Sequence, residues 1–308
     1  MTTLKQYLSL VKFSHTIFAL PFAIIGFCLG LLGKGLPASR HIMQGRLLGQ
    51  PILPTPAACG KLFLLVLLCM VTARSAAMAF NRYLDRHFDA RNPRTAIREI
   101  PAGIISANSA LLFVMVNCVL FVLATWFINP VCFYLSPVAL FVILFYSYTK
   151  RFTPLCHLVL GLGLSLAPIG AYLAVTGVFN WLPLLFSGAV ICWVSGFDVI
   201  YALQDVEFDR SQNLYSIPSV LGKGSALQVS SFLHLLSAGF VVLAGVLGGF
   251  HWLYWLGILV FIGMLLYQHS IVKPNDLSRV NIAFMTANGI ASVVFGLLVT
   301  GDVFLNSL

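Results

Sequence analysis

The chain has 308 residues, of which 59% are hydrophobic and 9% are charged, whereas charged residues make up about 25% of an average soluble protein. This composition excludes a water-soluble fold and indicates an integral membrane protein. The formal net charge of +9 does not indicate a nucleic-acid partner, because Lys and Arg are concentrated in alternate connections between apolar runs.

Nine apolar runs predict an all-α integral membrane protein with about nine transmembrane helices, since each crossing needs about 20 apolar residues. In chain order the predicted spans are residues 14–32, 62–80, 107–128, 130–149, 155–176, 181–200, 226–249, 251–271 and 283–304. No room remains for a separate soluble domain. We therefore expect one polytopic domain over residues 1–308.

The basic residues predict the orientation of the chain in the membrane. The connections after the third, fifth and seventh spans hold no Lys or Arg, and those after the even-numbered spans hold Arg86, Arg91, Arg94, Arg98, Lys150, Arg151, Arg210, Lys223, Lys273 and Arg279. Arg74 and Arg82, taken as helix-end residues, are counted on the same side. The positive-inside rule puts this side in the cytoplasm of a bacterial-type inner (plasma) membrane. The Gly- and Pro-rich connection 33–61, with Lys34, Arg40, Arg46 and Lys61, disagrees.

Two short windows hold seven of the nine acidic residues. Each window ends an apolar run and contains aspartates four residues apart, Asp85 and Asp89 in the first and Asp205 and Asp209 in the second. On a helix this spacing puts both carboxylates on one face. A solvated helix end would explain one such pair but not its repetition in so acid-poor a chain. The windows predict two pseudo-repeated halves, with motifs over residues 81–103 and 198–222.

Paired carboxylates next to hydrocarbon repel each other and need a cation. Mg²⁺ fits, because it prefers oxygen ligands and is usually held by one or two carboxylates together with substrate phosphates. Asn81 lies one turn before Asp85 on the same predicted face and adds an amide oxygen. The predicted Mg²⁺ ligands are therefore Asp85, Asp89, Asp205, Asp209 and Asn81.

Cations follow both the first window and the fourth span. Arg94 and Arg98 predict a diphosphate, because guanidinium groups bind phosphate oxygens in bidentate fashion. Lys150 and Arg151 could hold the diphosphate, the carboxylate of a second substrate or lipid headgroups, and the sequence does not separate these options. Asp198 is a candidate catalytic residue because it is an acid within a predicted span.

These motifs resemble the UbiA superfamily of membrane prenyltransferases, and the resemblance covers nearly the whole chain. It rests on Asn81-x3-Asp85-x3-Asp89, Arg94-Thr95, Arg98, Pro101, Gly103, Lys150-Arg151, Thr153, the series Asp198, Tyr201-Ala202 and Asp205-x3-Asp209, and residues 216–222. The chain looks most like 4-hydroxybenzoate polyprenyltransferases of the menaquinone-pathway branch, which carry Gly-Phe-Asp (residues 196–198) and Gln-Asp-x-Glu-Phe-Asp (residues 204–209).

The resemblance implies a bundle of nine helices around a cavity that opens to lipid. It also implies transfer of a polyprenyl group from polyprenyl diphosphate to an aromatic acid in ubiquinone or menaquinone biosynthesis. Asp85, Asp89, Asp205, Asp209 and Asp198 would be catalytic, and Asn81, Arg94, Arg98, Lys150, Arg151 and Tyr201 would bind substrate. The acceptor is left open between 4-hydroxybenzoate, an aminobenzoate, a naphthoate and a tetrapyrrole. No obligate protein partner is expected.

Two residues depart from the family pattern. Arg82 stands where many members have Asp, and Tyr215 stands where many have Lys. If that Lys binds diphosphate in the family, Lys223 would have to bind it in this chain, or the contact would be lost.

Three other classes of membrane protein fit the sequence less well. A cation transporter would need carboxylates near mid-span, where only Asp198 comes close. An intramembrane aspartyl protease would have no Arg cluster, and the Asp-Gly-x2-Ala-Arg signature of CDP-alcohol phosphotransferases is absent.

Overall fold

The computed structural model of the protein describes residues 3–11, 18–34 and 55–306. Over these residues the chain is almost entirely helical, apart from connections and one isolated bridge between Lys273 and Asp276. The α-helices are α1 Thr3–Leu10, α2 Leu20–Leu31, α3 Pro56–Arg91, α4 Ala107–Trp126, α5 Pro130–Thr149, α6 Cys156–Thr176, α7 Trp181–Ala202, α8 Val206–Ser211, α9 Ile217–Leu247, α10 Trp252–Ile271 and α11 Asn288–Leu305. A 3₁₀ turn, Leu203–Asp205, joins α7 to α8, and a π-helical segment, Ile282–Ala287, leads into α11.

Eight of the described helical segments are long and apolar enough to cross a membrane, and α2 is a shorter apolar helix. The chain is thus an all-α, multi-pass membrane protein, as the apolar runs predicted. Spans four, five, six and eight begin and end within one or two residues of their predicted bounds. Of the first predicted span, residues 14–17 lie outside the described residues, as do residues 35–54 of the first connection.

Helix α3 is much longer than the predicted span over residues 62–80. It begins at Pro56, where the Thr55 hydroxyl caps the helix by accepting a hydrogen bond from the backbone N–H of Ala58, and it ends at Arg91. Its 36 residues correspond to about 54 Å at 1.5 Å per residue, against about 30 Å for the hydrocarbon core of a bilayer. Helix α3 is therefore longer than one straight crossing requires, and Asp85 and Asp89 lie in its last two turns.

The second acidic window does not form one regular α-helix. Asp205 ends the 3₁₀ turn and Asp209 lies in the short helix α8. The expectation of one regular α-helix over this window is therefore wrong, since a 3₁₀ turn holds 3.0 residues rather than 3.6. Asp205 and Asp209 nevertheless line the same cavity.

Helix α9 begins nine residues before the predicted span over residues 226–249. Ser216 starts it with a capping box, in which the side chains of Ser216 and Ser219 each accept a hydrogen bond from the other residue's backbone N–H. Gly222 interrupts the helix with φ 81° and ψ 166°, a conformation that suits a residue without Cβ. The break separates the turn at residues 217–221 from the membrane span that follows it.

Helix α7 lies at the centre of the bundle, packed against α6 and α9, with Trp193, Phe197 and Ile200 among its buried side chains. Small residues bring neighbouring helices close together. A Cβ placed on Gly26 of α2 would lie 2.0 Å from the carbonyl oxygen of Pro168 in α6. The backbones of α2 and α6 are therefore in direct contact.

Candidate active site

One cavity of about 280 Å³ lies where the carboxyl ends of α3, α5 and α7 meet. Its walls contain every site residue predicted from the sequence, namely Asn81, Asp85, Asp89, Arg94, Arg98, Lys150, Arg151, Asp198, Tyr201, Asp205 and Asp209. The fold thus brings both acidic windows and all of the selected cations to the same space.

Helix α3 presents the first pair of aspartates, each bound by a cation from another segment. Asp85 Oδ1 accepts a hydrogen bond from Arg151 at 2.9 Å, and its Oδ2 accepts one from the Asn81 amide at 3.0 Å. Asp89 Oδ1 accepts a hydrogen bond from Arg98 at 2.6 Å. The other oxygen of Asp89 is buried and has no hydrogen-bond partner among the described residues.

The second pair is held in the same way. Asp205 accepts hydrogen bonds from Arg94 on both of its carboxylate oxygens. The Nη1 group of Arg94 also donates a hydrogen bond to the Tyr201 hydroxyl at 3.0 Å. Asp209 is fully buried; its Oδ1 lies 2.7 Å from Lys150 Nζ and its Oδ2 accepts a hydrogen bond from the Ser216 hydroxyl at 3.0 Å. Four aspartates and four cations therefore neutralise one another around the cavity.

Both cations that bind the second pair remain protonated. Burial lowers the pKa of the Arg94 guanidinium, but Asp205 and Tyr201 outweigh that effect and raise the pKa above its ordinary value. Burial likewise lowers the pKa of Lys150, but Asp209, together with smaller effects of Asp205 and Cys156, outweighs burial and raises the pKa above its ordinary value. Each is thus available as a positive charge for an anionic ligand.

The donor set fits magnesium. Over residues 3–11, 18–34 and 55–306, no three His, Cys, Asp or Glu side chains converge on a single point that could hold a metal ion. The acids instead form two pairs, and Mg²⁺ is commonly held by one or two carboxylates, several waters and substrate phosphates. The buried and unpartnered oxygen of Asp89 is available as a ligand without breaking any hydrogen bond.

Three further residues at this cavity were missed by the sequence analysis. Arg74 and Arg82 were counted only as helix-end cations, but both lie inside α3 and line the cavity. The side chain of Arg82 is buried, and neither its Nε nor its Nη1 has a hydrogen-bond partner in the described part of the chain; the same is true of Arg74 Nε. Arg74 was detectable, because it is a charged residue within a predicted span.

The third missed residue is His157, at the start of α6. Its Nδ1 lies 2.7 Å from Asp198 Oδ2, and its Nε2 accepts a hydrogen bond from the backbone N–H of Ile217 at 3.3 Å. No sequence motif marked it, since its partners come from α7 and α9.

Two residues weighed from the sequence lie elsewhere. Within the described residues, neither Tyr215 nor Lys223 lines the cavity, and Tyr215 is exposed. The expectation that Lys223 could replace the missing family Lys is thus without structural support. Glu207, between Asp205 and Asp209 in the chain, is exposed.

An apolar wall continues from the charged part of the cavity. It is formed by Phe18, Met78, Leu160, Leu164, Val194, Phe197 and Phe284. The π-helical segment brings Phe284 against Tyr201, with ring centroids 4.3 Å apart. The cavity therefore joins a polar end, rich in charge, to a surface that suits a hydrocarbon chain.

Known proteins that resemble this chain act on or bind molecules that have a charged headgroup and an apolar chain, which agrees with the charged end and the apolar wall of the cavity. Residues 43–290 match the UbiA prenyltransferase family. The 4-hydroxybenzoate octaprenyltransferase of Tolumonas auensis is 31% identical over 228 residues, which cover 72% of this chain and 77% of that protein. The enzyme of the same name from Shewanella halifaxensis is 28% identical over 235 residues, covering 76% of this chain and 82% of its own.

Solved structures of similar fold extend the match to nearly the whole chain. A UbiA homologue from Aeropyrum pernix K1 superposes with a TM-score of 0.75 at 26% identity and covers 96% of this chain and 98% of its own. A UbiA homologue from Archaeoglobus fulgidus, bound to DMAPP and Mg²⁺, superposes with a TM-score of 0.72 at 18% identity and covers 97% of this chain and 99% of its own.

Proposed function

Because this chain belongs to the UbiA prenyltransferase family, we propose that it transfers a polyprenyl group from polyprenyl diphosphate to the ring of a small aromatic acid, 4-hydroxybenzoate or a close analogue. One observation carries the proposal: four aspartates, each paired with a cation, line a cavity that also has an apolar wall. A naphthoate, an aminobenzoate or a tetrapyrrole is the alternative acceptor.

The diphosphate headgroup would bind by an exchange of partners. Asp85, Asp89 and Asn81 would hold one Mg²⁺, and Asp205 and Asp209 a second. Magnesium, when bound, neutralises the diphosphate and makes it a better leaving group. The cations released from the aspartates, Arg94, Arg98, Lys150 and Arg151, would then turn to the phosphate oxygens. Because each ion pair is replaced by another, the headgroup enters without leaving a buried charge unpaired.

The prenyl chain would lie along the apolar wall that runs from Leu160 to Phe284. Each CH₂ group kept out of water contributes about 0.8 kcal/mol, so a long polyprenyl donor favours a site reached from the bilayer. We propose that the cavity opens to lipid on this side. By the distribution of Lys and Arg, the headgroup end faces the cytoplasm of a bacterial-type inner membrane.

The acceptor acid would occupy the deeper, cationic part of the cavity. Arg74 and Arg82 supply guanidinium N–H groups without partners, which suit a carboxylate. Asp198, which also lines the cavity, would then face the ring and accept the proton released when the new C–C bond forms. A cation transporter gains no support, because the four paired aspartates gather at one end of the bundle rather than along a path.

The proposed function is tested with membranes that contain the protein, incubated with labelled 4-hydroxybenzoate, a polyprenyl diphosphate and Mg²⁺. We expect a lipid-soluble labelled product from wild type and none in the presence of a chelator. Asp85→Asn and Asp205→Asn should each lower the yield by about 10²-fold or more. Asp276→Asn, on an exposed connection, is the matched control and should behave as wild type.

Two outcomes would contradict the proposal. Product that forms equally with chelator, or in both aspartate variants, would exclude the magnesium assignment. If wild type forms no product with 4-hydroxybenzoate but does so with a naphthoate or aminobenzoate, the acceptor is revised and the reaction class stands. No product with any of these acids would remove the aromatic-acid function.

A further inference from the structure

One ring nitrogen of His157 contacts a hydrogen-bond donor and the other contacts a carboxylate acceptor. The backbone N–H of Ile217 can only donate, so Nε2, which lies 3.3 Å away, must be the unprotonated acceptor. Nδ1 then carries the proton and donates it to Asp198 Oδ2 at 2.7 Å. These two contacts therefore place the imidazole proton on Nδ1, in a side chain that is only 2% exposed.

The backbone contact to Ile217 is built into the start of α9. The first N–H groups of a helix have no partner within the helix. The capping box satisfies the N–H of Ser219, and His157 satisfies that of Ile217. His157 is also held through its main chain, since its carbonyl oxygen accepts a hydrogen bond from the Ser195 hydroxyl at 3.0 Å.

The same helix start connects Asp198 to the aspartates at the charged end of the cavity. The hydroxyl of Ser216, which caps α9, donates to Asp209 Oδ2 at 3.0 Å. A continuous set of contacts therefore runs from Asp209 through Ser216, Ile217 and His157 to Asp198. It links the proposed diphosphate end of the site to the proposed acceptor end.

Asp198 is held at only one of its two oxygens. Oδ2 accepts the proton of His157, whereas no described residue forms a hydrogen bond with Oδ1. The carboxylate lines the cavity, and its side chain is 24% exposed there. One oxygen is thus anchored and the other faces the space where an acceptor ring would lie.

We propose that His157 is the positioning residue for Asp198, which removes the ring proton during prenyl transfer. This inference rests on the proposed function. In the step, the bond between prenyl C1 and the diphosphate oxygen breaks, and the diphosphate takes the electron pair. The ring carbon ortho to the hydroxyl forms a C–C bond to C1 with a π pair. Its proton passes to Asp198 Oδ1, and the C–H electrons restore the aromatic ring.

His157 keeps its own proton throughout this step. Because Nε2 is occupied by the Ile217 N–H, the imidazole has no second basic position with which to pass a proton onward. Its contribution is geometric and electrostatic: it fixes the direction of Oδ1 and stabilises the carboxylate before the reaction. Proton transfer from the ring is then fast relative to the departure of diphosphate.

The test compares His157→Asn with His157→Gln in the purified, full-length enzyme. The Asn amide can reach the Nδ1 position and still donate to Asp198, whereas the Gln amide reaches the Nε2 position and can serve only Ile217. The readouts are kcat, the KM for each substrate, and the kinetic isotope effect with acceptor deuterated on the ring. Thermal melting in detergent shows that each variant is folded.

We expect His157→Gln to lower kcat by about 10²-fold, with an isotope effect that rises from about 1 to above about 2, because ring deprotonation becomes rate-limiting. The KM for the prenyl diphosphate should stay unchanged, and His157→Asn should retain most of the activity with no isotope effect. A His157→Gln enzyme with wild-type kcat and isotope effect would overturn the inference. So would equal losses in both variants without an isotope effect. Failure of the proposed function can be told apart from failure of this inference, since wild type would then form no product.

Discussion

The guanidinium of Arg94 joins the two acidic windows, because it follows Asp89 in the chain yet donates hydrogen bonds to both carboxylate oxygens of Asp205. It also donates to the Tyr201 hydroxyl. One side chain thus ties the connection after α3 to the end of α7. The two acidic windows are thus held together without any ligand.

Arg94→Lys should therefore weaken diphosphate binding although it keeps the positive charge. A lysine cannot reproduce the planar fork that contacts two oxygens at once. A lost hydrogen bond to a charged group costs about 1.5–3 kcal/mol, so the KM for the prenyl diphosphate should rise by about 10- to 100-fold. The KM for the acceptor serves as the internal control. An equal rise in both values would mean that Arg94 supports the fold rather than the headgroup.

Asp209→Asn should destabilise the protein, because it leaves Lys150 facing a fully buried position without its countercharge. Breaking a fully buried pair costs about 3–5 kcal/mol; the Lys150 side chain is 33% exposed, so we expect a smaller loss, seen as a lower melting temperature in detergent. The double variant Asp209→Asn/Lys150→Met removes both charges and should recover much of the loss. If the double variant is no more stable than the single one, the ion pair is not the source of the effect.

Arg82→Met should make the protein more stable and less active. A buried guanidinium with two unpartnered nitrogens is costly to fold, whereas Met fills similar space without charge. We therefore expect a higher melting temperature together with a raised KM for the aromatic acid. Arg86→Met, on the same helix but not among the residues that line the cavity, is the control for loss of a basic residue. A normal acceptor KM in Arg82→Met would remove this residue from the site.

Gly26→Ala should be destabilising by about 1–3 kcal/mol, because the added methyl group would meet the backbone of Pro168 and force α2 away from α6. Gly170→Ala, on α6, is a matched control with open space around its Cβ. It should be neutral or slightly stabilising, since Ala favours helix more than Gly does. The melting temperatures of the two variants test this prediction: Gly26→Ala should melt at a lower temperature than Gly170→Ala.

The membrane spans and the acidic windows were predictable because both depend on local amino-acid composition. Long apolar runs define α4 to α7, and the scarcity of acids makes Asp85 and Asp205 conspicuous. The pairing of each aspartate with one particular cation was not predictable, because Arg151, Arg98, Arg94 and Lys150 are chosen by the way separate segments meet. The same reason hid His157, whose two partners belong to other helices.

Local irregularities were the other source of error. The 3₁₀ turn that ends at Asp205 lies in a stretch whose residues are compatible with a regular helix, and the helical turn at residues 217–221 precedes the predicted span over residues 226–249. Both segments make tertiary contacts: Asp205 binds Arg94, and the backbone N–H of Ile217 binds His157. Propensity and periodicity describe a segment alone and cannot register such contacts.

Helix α3 carries both Arg74 and Asp85, eleven residues apart on one continuous rod. At 1.5 Å and 100° per residue they lie about 16 Å apart and almost in line. If the proposed function holds, Arg74 would bind the acid group of one substrate and Asp85 the Mg²⁺ and diphosphate of the other, so the rigid helix would fix the distance between the two substrates. One residue inserted between them would turn the two ends out of line, so this enzyme should tolerate side-chain changes along α3 far better than any change in its length.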